Sequence, residues 1–147
     1  MRKALTIFMI AVFMGLIFGY LLFRNINENV ENIFYNSKEL TLFQTGVFFK
    51  KENADSYANT FKNATVVKEG DFYHVYIAIL NNPQNINMMK EYFDDENINY
   101  YLRKIHIKEN NFTAELLKYE SILLNSKKGE TIDVLNEMIL KTYKESI

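Results

Sequence analysis

The order of elements along the chain predicts an α+β protein. It reads as an N-terminal transmembrane helix, a β-α-β-β-α-β module with a four-stranded antiparallel sheet, and a C-terminal α-hairpin. Three observations carry this reading. An uncharged apolar run opens the chain. Four short stretches rich in β-branched and aromatic residues then alternate with amphipathic ones, and two further amphipathic stretches close the chain.

Residues 4–23, ALTIFMIAVFMGLIFGYLLF, contain no charge. At about 1.5 Å per residue they span about 30 Å, the thickness of a bilayer's hydrocarbon core. The run ends Tyr20-Leu21-Leu22-Phe23-Arg24 without a small-x-small site, so it predicts a retained anchor rather than a cleaved signal. Arg2 and Lys3 precede it, whereas Arg24 is followed by Glu28 and Glu31. The basic side stays cytoplasmic, which puts residues 25–147 outside. A polar stalk, residues 25–38, follows residues 1–24; its Ile26, Val30, Ile33 and Phe34 recur at helical spacing.

The segment from Leu40 to Phe48 has strand composition. Lys50 to Lys62 reads as a helix, because Ala54, Tyr57, Ala58 and Phe61 share one side. Ala64 to Lys68 is a short second strand, Glu69-Gly70-Asp71 a turn, and Phe72 to Leu80 a third strand. Asn82-Pro83 starts a helix with an N-cap and a proline at the first helical position. That helix runs to about Glu96, and Asn99 to Ile107 is the fourth strand. The order puts both helices on one face of the sheet and leaves the other open. Residues 39–108 form this module, and residues 109–147 the hairpin, broken at Ser126-Lys127-Lys128-Gly129.

Strand alternation predicts which side chains reach the open face. In the third strand Tyr73, Val75, Ile77 and Ile79 are the apolar set, leaving His74, Tyr76 and Ala78 opposite. Gln44 and Gly46 share one side of the first strand, so Gln44, His74 and Tyr76 are expected together, with Gly46 and Ala78 leaving room. Tyr101 and Arg103 are the candidates from the fourth strand. An amide, aromatic rings and a guanidinium suit a sugar polymer: rings stack on pyranose C–H faces, and Arg103 can pair with a carboxylate on it.

Within this frame the chain from about Leu40 to Ile107 resembles a SPOR domain, a module of bacterial division and sporulation proteins. Gln44-Thr45-Gly46-Val47-Phe48 matches the family's Q-x-G-x-F on its first strand and is followed by Asn53-Ala54. Gly70-Asp71-Phe72-Tyr73-His74-Val75-Tyr76 matches its G-x-x-Y-R-V hairpin. The resemblance implies a ferredoxin-like fold and binding of peptidoglycan glycan strands stripped of their stem peptides. Two places depart from the pattern. His74 stands where the hairpin usually has Arg, and Ala78-Ile79 where Gly-Pro commonly closes the third strand. The alternative is an interaction protein whose sheet binds a partner protein or its own C-terminal helices.

Other chemistry finds little support. The chain lacks cysteine, which removes disulfides, thiolate metal sites and a cysteine nucleophile. His74 and His106 have no metal-ligand spacing, no phosphate loop or nucleophile elbow occurs, and no paired carboxylates converge. No cofactor, metal or catalysis is therefore expected. Seventeen basic and 18 acidic residues are spread along the chain, so no basic face for nucleic acid is expected.

Overall fold

The computed structural model describes residues 12–21, 37–126 and 129–147. Residues 12–21 are helical, with exposed apolar side chains such as Phe13, Leu16 and Phe18. Among the described residues no helix is long and apolar enough to cross a membrane. The rest of the expected anchor and nearly all of the stalk lie outside the described residues.

Residues 38–147 form one compact unit. Its elements are β1 (Ser37–Phe48), α1 (Lys51–Ala58), β2 (Thr65–Glu69), β3 (Phe72–Leu80), α2 (Pro83–Asp95), β4 (Tyr101–Lys108), α3 (Asn111–Leu123) and α4 (Gly129–Ser146). The four strands make one antiparallel sheet in the order β2-β3-β1-β4. A βα unit therefore returns its second strand two places away, with a strand of the other unit between.

Local chemistry sets most boundaries. Gly70 sits at φ +59° in the two-residue link between β2 and β3, a conformation that costs glycine nothing. Asn82 caps α2 by accepting from the Gln84 and Asn85 amides, and Pro83 follows at the first helical position. The same helix ends in a Schellman motif: the Ile98 amide donates to the Phe93 carbonyl and the Asn97 amide to that of Asp94, with Asn97 at φ 55°. Helix α1 stops at Ala58, short of the expected Lys62. The Thr60 hydroxyl bonds the Tyr57 carbonyl, and the Asn63 amide donates to the Asp133 carbonyl, drawing the chain away from helical geometry.

One face of the sheet carries α1 and α2, as expected. The Phe43 ring meets Phe93 of α2 with centroids 5.5 Å apart, and the Tyr57 hydroxyl of α1 donates to the Thr45 carbonyl. The opposite face is not open. Every residue from Val75 to Leu80 is buried, whichever side it takes. Helix α4 packs on β3 and β2, and Leu40 of β1 lies beside Thr113 and Leu116 of α3. The C-terminal hairpin has covered the half of this face that the alternation pattern assigned to solvent, because Phe112, Leu116, Leu123, Ile139 and Tyr143 need an apolar surface to bury against. Beyond the end of β2, which pairs no further than Thr65 with Tyr76, the Asn136 amide donates to the Ile77 carbonyl and closes that stretch of edge.

Gly46 belongs to the packed face. A Cβ there would stand 2.7 Å from Phe48 Cε2 and 3.0 Å from Tyr57 Cε1. It gives room to α1, not to a ligand on the other side. Gly46→Ala is expected to destabilise the domain by about 1–3 kcal/mol through overpacking, read as a lower urea midpoint. An unchanged midpoint would show that the two rings move aside freely.

Candidate functional site

Four of the five residues selected from the sequence, Gln44, His74, Tyr76 and Arg103, converge on one side of the sheet. The β1–β3 pairing is irregular: Phe43 pairs with Ala78, Gln44 with Tyr76 and Gly46 with Val75. This irregularity brings Gln44 to the His74 side while Phe43 and Gly46 face the helices. His74 Nδ1–H donates to Gln44 Oε1 at 2.9 Å. The His74 and Tyr76 rings lie nearly parallel, 13° apart with centroids at 6.0 Å.

Beneath them is a charged triad. The Tyr76 hydroxyl donates to Glu69 Oε1 at 2.7 Å, and Arg103 Nη1 donates to Glu69 Oε2 at 2.6 Å and to the Tyr76 oxygen at 2.8 Å. Three strands supply the triad, its side chains crossing between positions that are not paired in register. Glu69 ends β2, Tyr76 lies on β3, and Arg103 reaches across from β4. Burial pushes the Tyr76 phenol well above its ordinary range, and the Glu69 carboxylate adds to this. Burial alone would raise the Glu69 carboxyl; the hydrogen bonds from Tyr76 and Arg103 outweigh it and hold that group below its ordinary value. Burial, together with the Arg103 charge, lowers the His74 imidazole against the pull of Glu69. This favours the neutral imidazole, and the Gln44 oxygen favours the tautomer with its proton on Nδ1.

These placements divide the candidates. Tyr76 is 0% exposed, so its ring presents no face for stacking. It lies near Tyr143 of α4, whose own phenol is raised by burial and then by Glu69. Gln44, His74 and Arg103 are half-buried and spend their polar atoms on one another or on the triad. Tyr101 is 69% exposed, on the Arg103 side of β4 by alternation.

Sequence reasoning missed Glu69, which it read only as a turn residue, and Tyr143, which it read as hairpin packing. It also missed an apolar cluster where β1 ends and β3 begins. The Phe49 and Phe72 rings meet at a 45° tilt with centroids 4.7 Å apart, Phe49 is 77% exposed, and Val47, two residues before it, is exposed too. Val47 and Phe72 lie within the two motifs and Phe49 directly follows the first, which was the available signal.

Among the described residues no group of histidine or acidic side chains is placed to hold a metal ion. The arrangement has hydrogen-bonding and stacking capacity but no nucleophile beside a base. No protein family, curated protein or solved structure matches the chain.

Proposed function

We propose that this chain is a membrane-tethered interaction protein of the bacterial cell envelope, acting in division or spore formation. In it a SPOR-like sheet serves as a scaffold, and the chain's own C-terminal helices occupy much of the face that would otherwise meet a glycan strand. The apolar run of residues 4–23 supports the tether, and the flanking charges an extracytoplasmic domain. The strand order β2-β3-β1-β4 is the ferredoxin-like order that the resemblance implies.

One observation carries the choice between glycan and protein. Tyr76, the aromatic side chain at the centre of the expected sugar surface, is fully buried, and its hydroxyl is held by Glu69 and Arg103. Among the side chains that stay exposed on the sheet are Phe49 and Phe72, in ring contact where β1 ends and β3 begins, with Val47 two residues before Phe49, and Tyr101 at the start of β4. Aromatic residues with polar rims are what protein interfaces enrich. A second reading keeps the glycan: exposed Tyr101, on the Arg103 side of β4 by alternation, offers a smaller stacking surface.

Two assays separate them. In sedimentation with amidase-treated peptidoglycan, the full-length chain in detergent is expected to stay in the supernatant. With a photo-crosslinking amino acid at Phe49 or Tyr101, cells are expected to give discrete protein adducts that the same probe at Lys118 on α3 does not. Pelleting that is lost in Gln44→Ala and Tyr101→Ala would establish the glycan reading instead.

A further inference from the structure

Helix α3 joins the β-α-β-β-α-β module through one buried carboxyl. Glu120 is 2% exposed, and its Oε1 accepts from the backbone amides of Asn81 at 2.8 Å and Asn82 at 2.7 Å. These are the residues that lead β3 into α2. Asn85, itself fully buried, donates through Nδ2 to the Glu120 carbonyl at 2.9 Å, which fixes its amide orientation. Two acceptors are then left without a donor among the described residues: Glu120 Oε2 and Asn85 Oδ1.

An ionised Glu120 would leave both oxygens bare inside the protein, and one of them would carry charge. A protonated Glu120 has a hydroxyl to donate, and Asn85 Oδ1 is an acceptor in need of one. We propose that Glu120 is protonated in the folded protein, its Oε2–H donating to Asn85 Oδ1, and that this contact is a pH-sensitive latch holding the C-terminal hairpin on the sheet.

The surroundings agree. Burial raises the Glu120 carboxyl above its ordinary value, against the donors from Asn82, Asn81 and Asn85. Lys38 of β1 lines the adjoining cleft with Asn81 and Leu116 but pairs with Glu109, and Glu39 pairs with Lys104 while its carbonyl takes the Asn81 side chain. From α2 the Asn82 amide reaches the carboxyl and the Asn85 side chain bonds the Glu120 backbone carbonyl, both uncharged, and among the described residues no ion pair reaches Glu120. The sign follows from a raised value. Below the ordinary carboxyl range both folded and unfolded chains hold the proton, and the latch is at full strength. Stability declines as pH rises from there through the raised value, and is flat above it.

The test uses the full-length chain in detergent. At neutral pH its infrared spectrum is expected to contain the carbonyl stretch of a protonated carboxylic acid that is missing in Glu120→Gln. The glutamine is isosteric and donates to Asn85 Oδ1 at every pH. Its Asn81 and Asn82 amides should match wild-type protection from hydrogen exchange in mild acid and exceed it in mild alkali, by roughly tenfold per unit that the carboxyl is raised. Absence of the wild-type band, or a Glu120→Gln protein as poorly protected as Glu120→Ala in mild acid, would overturn the proposal; an ionised carboxylate bridged by water gives that result.

Discussion

Tyr76→Ala is expected to destabilise the domain by about 3–5 kcal/mol, the range for emptying a large aromatic site in a packed interior. Tyr76 is fully buried and central: it pairs with Thr65 on one side and Gln44 on the other, and α4 places Tyr143 near it. Tyr76→Phe keeps the ring and removes only the hydroxyl. It should cost less, about 1–3 kcal/mol, the scale of a hydrogen bond to a charged group. The loss should also depend on pH. Hydrogen bonds hold the Glu69 carboxyl below its ordinary value, so its stabilising effect is complete above that value and disappears as pH falls through the depressed one. Without the hydroxyl the depression shrinks, and the acid limb of the stability profile should flatten in Tyr76→Phe. Urea titrations across the acid range read both effects. A phenylalanine variant as unstable as the alanine one would mean that the hydroxyl, and not ring packing, dominates at this position.

Phe112→Ala is expected to be comparably severe, again about 3–5 kcal/mol. Phe112 is buried in the hairpin, its ring edge-on to Tyr143 with centroids 5.2 Å apart. The informative control is Leu117, on the same helix but half-exposed, where alanine should change stability by no more than about 0.5 kcal/mol. If the hairpin were an appendage, Phe112→Ala would melt residues 111–146 and leave β3 protected. Because the hairpin and sheet share one core, the expected outcome is loss of hydrogen-exchange protection in β3 together with the hairpin.

Glu69 and Glu120 pull in opposite directions. Glu69 is ionised, shared between a phenol and a guanidinium, and strengthens the fold as pH rises. Glu120 sits among backbone amides and an asparagine, with no ion pair reaching it among the described residues, and on the proposed reading it weakens the fold as pH rises. The domain then has a stability maximum between the two limbs, and each can be removed separately, by Tyr76→Phe or by Glu120→Gln.

The succession of elements was legible in the amino-acid order. The ends of β3, the Asn82-Pro83 helix start, the Gly70 turn and the break between the last two helices all follow from chemistry within a few residues. N-caps, positive-φ turns and hydrophobic periodicity act at that range and need no partner from elsewhere. Convergence of Gln44, His74, Tyr76 and Arg103 was legible as well, although not for the reason that alternation suggested. Alternation along one strand supplies parity, and the irregular pairing around Gln44 shows that parity alone does not assign a face.

Only the tertiary structure decided what covers each face. The apolar residues of α3 and α4 announce that the hairpin must bury a side, but not against which surface, because hydrophobic burial has no direction. That choice turned Tyr76 from a solvent-facing ring into a core residue and set Glu120 against the start of α2, while the assembly of the sheet brought Glu69 and Arg103 to the Tyr76 hydroxyl from different strands. Contacts between residues far apart in the chain depend on geometry that no local pattern encodes.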